Sequence, residues 1–161
     1  MGKGPELPDG RQLADEVNEW LKAGTRNREP IPLAQEQIDL LKKISNELSF
    51  SFIRNCFSGR YPGDLRPEET RVHNEFPVWK AGALRRIKES PISDKRQDYL
   101  TVMDTFSLST VASYTDFAAE QAGREVGKAD MGSEKEHEAK RNAEWWSKVD
   151  QITKGAAEKK D

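Results

Sequence analysis

Apolar side chains in this chain recur at steps of three and four residues in one stretch after another, which is the period of a helix with one buried face. The pattern is longest over 94–126. There Tyr99, Met103, Phe106, Thr110, Ser113 and Phe117 form one stripe, while Leu108, Val111, Ala112, Ala118 and Ala119 line much of the opposite side. A helix apolar on both sides belongs at the centre of a bundle. The expectation is an all-α fold, a bundle of four to five main helices with a central apolar helix near 94–126 and a polar C-terminal helix.

Proline and glycine divide the rest. Residues 1–9 read as a flexible segment ending in Asp9, whose carboxylate suits the N-cap of a helix over 10–23. In that helix Leu13, Val17, Trp20 and Leu21 stand at i, i+4, i+7 and i+8, and Gly24 stops it. The prolines of 25–32 mark a loop. A second helix runs from about Pro32 to Phe57 on Ile38, Leu41, Ile44, Leu48, Phe52 and Cys56, with Gly59 behind it. Alternation over 49–52 would also suit a strand, but no partner strand exists for it. Pro62-Gly63 and Pro67 punctuate the next stretch, which has room for a short helix over 67–74, and Pro77 is read as opening a helix to about Glu89. Asp94 with Gln97 resembles a capping box for the central helix, and Ser133-x-x-Glu136 is a second box that opens a terminal helix to about Lys154. Glu136…Lys140 and Glu144…Lys148 stand there in the favourable order. Residues 10–154 are thus expected to be one helical domain, with 155–161 a frayed tail.

With 161 residues, 35% hydrophobic and 34% charged, the chain has enough apolar surface for one domain. No stretch approaches the roughly 18–20 apolar residues of a membrane span, so no membrane insertion is expected. Met1-Gly2 leads into polar sequence rather than a secretory signal, and Glu6 stands where a myristoylation motif needs Ser or Thr. The single cysteine, Cys56, allows no intramolecular disulfide and no cysteine-based zinc site. An intracellular protein, or part of a disulfide-free assembled particle, fits this usage.

Catalytic patterns are missing. Gly59–Gly63 lacks the spacing and the following Lys-Ser/Thr of a phosphate loop, and the chain contains no Gly-x-Ser-x-Gly elbow, no calcium loop and no His-Glu-x-x-His helix. Imidazole chemistry is limited to His73 and His137. Glu134-x-x-His137 matches half of a di-iron pattern, whose other ligands are not supplied at matching spacing by Glu69, His73 and Glu75. Cys56 lies on the apolar stripe with Phe52 and reads as a small buried hydrophobe. The paired carboxylates Glu68-Glu69 and Glu134/Glu136/Glu138 lie in polar surroundings, without the desolvation that acid–base work needs. No catalytic residue, metal or cofactor is expected.

Two surfaces remain. Trp145, Val149 and Ile152 share a face, with Trp146 on its flank, and Trp is enriched at binding hot spots. This face suits a protein partner or a second copy of the chain, and equally suits packing on the chain's own core. Charge is divided unevenly: residues 54–96 hold 10 basic and 6 acidic side chains, whereas 97–161 hold 9 and 13. Arg54, Arg60, Arg66, Arg85, Arg86 and Lys88 could contact phosphates, or this basic segment could pair with the acidic C-terminal helix. The leading expectation is a non-enzymatic helical interaction or self-assembly protein, a homo-oligomer or a binder of a protein partner. The alternative is a nucleic-acid-associated structural subunit of coat or nucleoid type.

Overall fold

A computed structural model describes residues 34–66, 68–90 and 95–159. These form five helices, α1 (Gln35–Phe57), α2 (Glu69–Glu89), α3 (Arg96–Thr105), α4 (Leu108–Lys128) and α5 (Glu134–Glu158), with one 3-10 turn at Pro62–Asp64. No strand occurs among the described residues, and the helices form the all-α bundle that the spacing demands. The segment 1–9 and the helix expected over 10–23 lie outside the described residues.

α1 carries the core. Leu41, Ile44, Leu48, Phe52, Ile53, Cys56 and Phe57 are all buried, and the helix touches α2, α3 and α4. Gly59 follows with φ 80°, a conformation that glycine adopts without steric cost, while the Ser58 amide donates to the Arg54 carbonyl. The 49–52 alternation is therefore part of a helix.

α2 runs straight through Pro77 instead of starting there. Proline inside a helix costs about 3 kcal/mol, because it has no N–H to give and its ring crowds the preceding turn. The stripe Val72, Phe76, Trp79 and Ala83 continues unbroken across that point and is buried throughout, while Pro77 itself faces outward. Packing of the stripe outweighs the local penalty. One helix replaces the short 67–74 helix and the separate one expected from Pro77.

The apolar run 94–126 is two helices, not one. α3 ends at Thr105, Phe106 and Ser107 are extended, and Ser107 caps α4: its hydroxyl accepts from the Thr110 amide at 3.4 Å, and its own amide donates back to the Thr110 hydroxyl. Phe106 is buried, with its ring centroid 5.8 Å from that of Phe76 and 5.9 Å from that of Trp79. The Lys80 ammonium donates to the Phe106 carbonyl at 2.6 Å, which satisfies an acceptor that the end of α3 leaves open. A run apolar on both sides here records two amphipathic helices in succession, each with its own stripe.

α4 and α5 make the most extensive helix pair, joined by the five residues 129–133 as an antiparallel αα-hairpin. Ser133 caps α5 as expected, its hydroxyl accepting from the Glu136 amide at 3.1 Å. The Glu136…Lys140 pair forms, whereas Lys148 turns away from Glu144 to donate to the Pro62 carbonyl at 2.9 Å. The helix continues to Glu158, past the point where fraying was expected. Ala156 is buried, its carbonyl lies 3.2 Å from His73 Nδ1, and the missing side chain of Gly155 makes room for Glu69 of α2.

Trp146 and Tyr114 lie fully buried, ring centroids 5.8 Å apart, in the α4–α5 seam, but the Tyr114 hydroxyl has no hydrogen-bond partner. Trp146→Ala should therefore cost about 3–5 kcal/mol, whereas Tyr114→Phe should leave stability unchanged or raise it by up to about 1–3 kcal/mol. Urea unfolding midpoints measure both; a large loss from Tyr114→Phe would contradict this packing.

Candidate functional site

The four residues expected to form a docking face on the C-terminal helix are taken up by the chain itself. Trp146, Val149 and Ile152 are buried in the core, and Trp145 is half-buried. The Trp145 indole donates to the Arg60 carbonyl at 2.9 Å, and the Arg141 guanidinium stands 4.8 Å from the Tyr61 ring centroid. With Lys148 on the Pro62 carbonyl, α5 thus clamps the loop that follows α1. Of the two readings open for this face, packing on the chain's own core is the one its burial fits: hydrophobic spacing marks burial without saying against what, and here the answer is α4, the core and the 58–66 loop.

The six basic residues separate into three groups. Arg60 is neutralised by Glu68 at 2.7 Å, and Glu68 also takes Arg71 at 2.8 Å. Hydrogen bonds from Arg71 foremost hold the Glu68 carboxyl below its ordinary range. Arg71 reaches Glu75 as well, so the ion pairs of the basic segment lie within it, and none joins it to α5 among the described residues. Arg66, Arg85 and Lys88 are exposed, the last two on the outer side of α2. Arg54 and Arg86, far apart in sequence, are brought to one cavity.

That cavity, of about 470 Å³, lies between α1 and α2. Glu47, Phe50, Ser51, Arg54, Asn55 and Ser58 line it from the α1 side, Trp79 and Arg86 from α2. A second cavity of about 320 Å³ shares Ser51, Trp79 and Arg86 with it and continues past Leu48, Ala83 and Ile87 to Tyr99 and Arg96 of α3. Together they form one groove with a polar, arginine-bearing lobe and an apolar lobe. Arg54 and Arg86 have no carboxylate partner among the described residues, and Arg54 lies 5.9 Å from the Phe50 ring centroid. Tyr99 donates to Glu47 at 2.7 Å, and burial foremost, then Glu47, pushes its hydroxyl up to about 12. Arg96 donates to the Ser90 carbonyl, while its Nε is buried with no partner. The groove can take a helix or a chain segment with an apolar face and an anionic flank: hydrophobic contact at one lobe, guanidinium pairing at the other.

Among the described residues, Cys56 and Asp150 are engaged within the fold. Cys56 is buried; burial foremost, then the charge of Glu75 with its carboxylate 3.5 Å from the sulfur, pushes the thiol up to about 12, away from the reactive thiolate. His137 and Glu134 are exposed on α5, and among the described residues no three His, Cys, Asp or Glu side chains gather as a metal site. Among the described residues, Asp150 is the one buried carboxylate with a hydroxyl and an ammonium on its oxygens: Thr115 donates to it at 2.9 Å and Lys154 stands at 3.1 Å, bridging to Asp116 at 2.6 Å. These bonds pin the α4–α5 pair. The groove itself was missed by sequence reasoning because Trp79 and Ser51 carry no motif; the only advance signal was the shared positive charge of Arg54 and Arg86.

No protein-family model matches the chain, and neither the curated proteins nor the solved structures yield a match.

Burial foremost, with the neighbouring Asp116 charge, pushes the Asp150 carboxyl above its ordinary range against the bonds from Thr115 and Lys154. The folded protein then holds this proton more tightly than the unfolded chain, so stability is fully present below the ordinary Asp value and falls as pH rises through the raised one. Asp150→Asn removes the titration. Its stability relative to the native chain should be greater at about pH 7 than at about pH 4. Urea midpoints at both values test this, and an unchanged difference would contradict it.

Proposed function

We propose that this chain is a non-enzymatic helical interaction module whose binding surface is the α1–α2 groove. One observation carries the reading: two guanidiniums with no ion pair to a carboxylate among the described residues border a groove floored by Trp79 and continued by an apolar lobe. An amphipathic helix laid into a groove buries its stripe and gains specificity from charges on its rim, and Trp and Arg are the residues enriched where such binding energy concentrates. The engaged state of Cys56 and Asp150 supports binding rather than catalysis. No described helix is long and apolar enough to cross a membrane.

Nucleic-acid binding is the second reading. It is favoured by one feature, the presence of Arg85 and Lys88 on α2 alongside the groove arginines, none of the four with a carboxylate partner among the described residues. Phosphate contacts of this kind would give weak sequence preference and a log–log salt slope of about −0.9 per phosphate on duplex DNA.

Selection of displayed helical peptides on the full chain separates the two. The interaction reading predicts enrichment of peptides with an apolar i, i+4, i+7 stripe and acidic residues on one flank, lost on the Arg54→Glu, Arg86→Glu variant. It also predicts no change in solution mass on adding duplex DNA or single-stranded RNA at low salt. A failure to enrich such peptides, or enrichment indifferent to the two arginines, overturns it, and a salt-sensitive nucleic-acid complex installs the second reading in its place.

A further inference from the structure

The apolar lobe of the groove has the make-up of a small-ligand site. Its volume of about 320 Å³ stands at the lower end of the roughly 300–1,000 Å³ usual for such sites. Leu48 of α1, Trp79, Ala83 and Ile87 of α2 and Tyr99 of α3 give it largely apolar walls. Three cations, Arg86, Lys95 and Arg96, line the same cavity, and among the described residues no Asp or Glu does. The acids on the surrounding helices are placed otherwise. Glu47 lines the polar lobe only, where its carboxylate accepts from the Tyr99 hydroxyl at 2.7 Å. Asp98 accepts from Gln37 at 2.8 Å, and Glu89 is exposed at the end of α2. The charge of Glu47 counts against an anion in the polar lobe; the apolar lobe has three positive charges to set against it.

Arg96 adds a second observation that points to a ligand. Its guanidinium donates to the Ser90 carbonyl, but its Nε is buried and has no hydrogen-bond partner among the described residues. A buried donor left unmet is costly, and a charged one more so. We infer that the apolar lobe binds a small amphipathic carboxylate, a medium-chain fatty acid in class, with its tail against Trp79, Ala83 and Ile87 and its carboxylate on Arg96 and Arg86. A guanidinium presents its donors in a planar fork that matches the two oxygens of a carboxylate, and the pairing gains strength beside an apolar wall. One negative charge suits this place better than the two of a phosphate monoester, whose desolvation costs more. The inference goes beyond helix docking and does not rest on it, because a docked helix needs both lobes and this ligand fills one.

The test is titration of the full chain with octanoate below its micellar concentration, followed by calorimetry and by the methyl resonances of Ala83 and Ile87. Saturable binding at one site is expected, with octanol, which keeps the tail and lacks the charge, weaker by about tenfold or more, the factor that charge-assisted hydrogen bonds supply. Arg96→Gln should weaken octanoate by about tenfold or more and leave octanol nearly unchanged. If circular dichroism shows that this variant has lost its helices, Arg86→Gln with Lys95→Gln, both exposed, reads the same loss. Ser51→Trp, an exposed position that lines the cavity, should block both ligands. Absence of a saturable methyl shift, equal affinity for octanol and octanoate, tighter binding of octyl phosphate, or affinity indifferent to the cations overturns the inference. Its failure leaves the peptide selection untouched, and failure of that selection leaves octanoate binding as expected here, so the two readings fall separately.

Discussion

The corner at Phe106 and Ser107 is the constraint on which the remaining architecture depends. It stops an apolar run that would otherwise continue as one rod and makes it serve two sets of interfaces: α3 against α1 and α2, α4 against α5 and α1. Three local devices hold it. The Phe106 ring lies among Phe76 and Trp79, the Lys80 ammonium satisfies the Phe106 carbonyl, and Ser107 with Thr110 caps the next helix. Burial lowers the affinity of Lys80 for its proton, yet its bond to the carbonyl keeps a charged donor at a helix end, where cations are favourable.

The same corner explains why a groove exists where it does. Phe52, Phe76, Trp79 and Phe106 meet edge to face, tilted or, for Phe76 on Trp79, stacked, with centroids 5.2–6.3 Å apart, and fill the space beneath α1 and α2. Above them, α1 and its C-cap present the small polar side chains of Ser51, Asn55 and Ser58 to the cavity. Electrostatics sharpens the contrast. Glu68 and Glu75 are drawn to Arg60 and Arg71 at one end of α2, which leaves Arg86 near the other end and Arg54 opposite without an ion pair among the described residues, although Glu47 lines the same cavity. α5 contributes by a different route: its tryptophans and Lys148 lock the 58–66 loop and the core, so the bundle's strongest aromatic face is consumed in folding.

The helices were legible in the sequence because periodicity reports one buried face, and Gly59 and Ser133 were legible because their roles are local, a left-handed residue after α1 and a hydroxyl cap before α5. The corner was not, since its cap closes through Thr110 rather than a Glu or Gln, and nothing in the stripe marks where one helix ends. Pro77 was read as a start because the local cost of proline is visible in sequence and the stripe that outweighs it is only a packing fact. The Trp145–Ile152 face was legible as apolar but not as internal. Of the basic residues, Arg85 and Lys88 were legible as a solvent-facing pair three residues apart, whereas Arg54, Arg60 and Arg86 were not, because Arg54 and Arg86 meet only through the packing of α1 on α2 and Arg60 is paired through the turn before α2.

The most direct measurement is a set of nuclear Overhauser contacts from the methyl groups of Ala83 and Ile87 in the full, uniformly labelled chain. If the α1–α2 groove is where a helix docks, these methyls show cross-peaks to the side chains of an added amphipathic peptide with an acidic flank. If they see only α1, α2 and α3 while the Trp145 ring shows contacts from outside the bundle, the groove is not the binding surface and the C-terminal helix is.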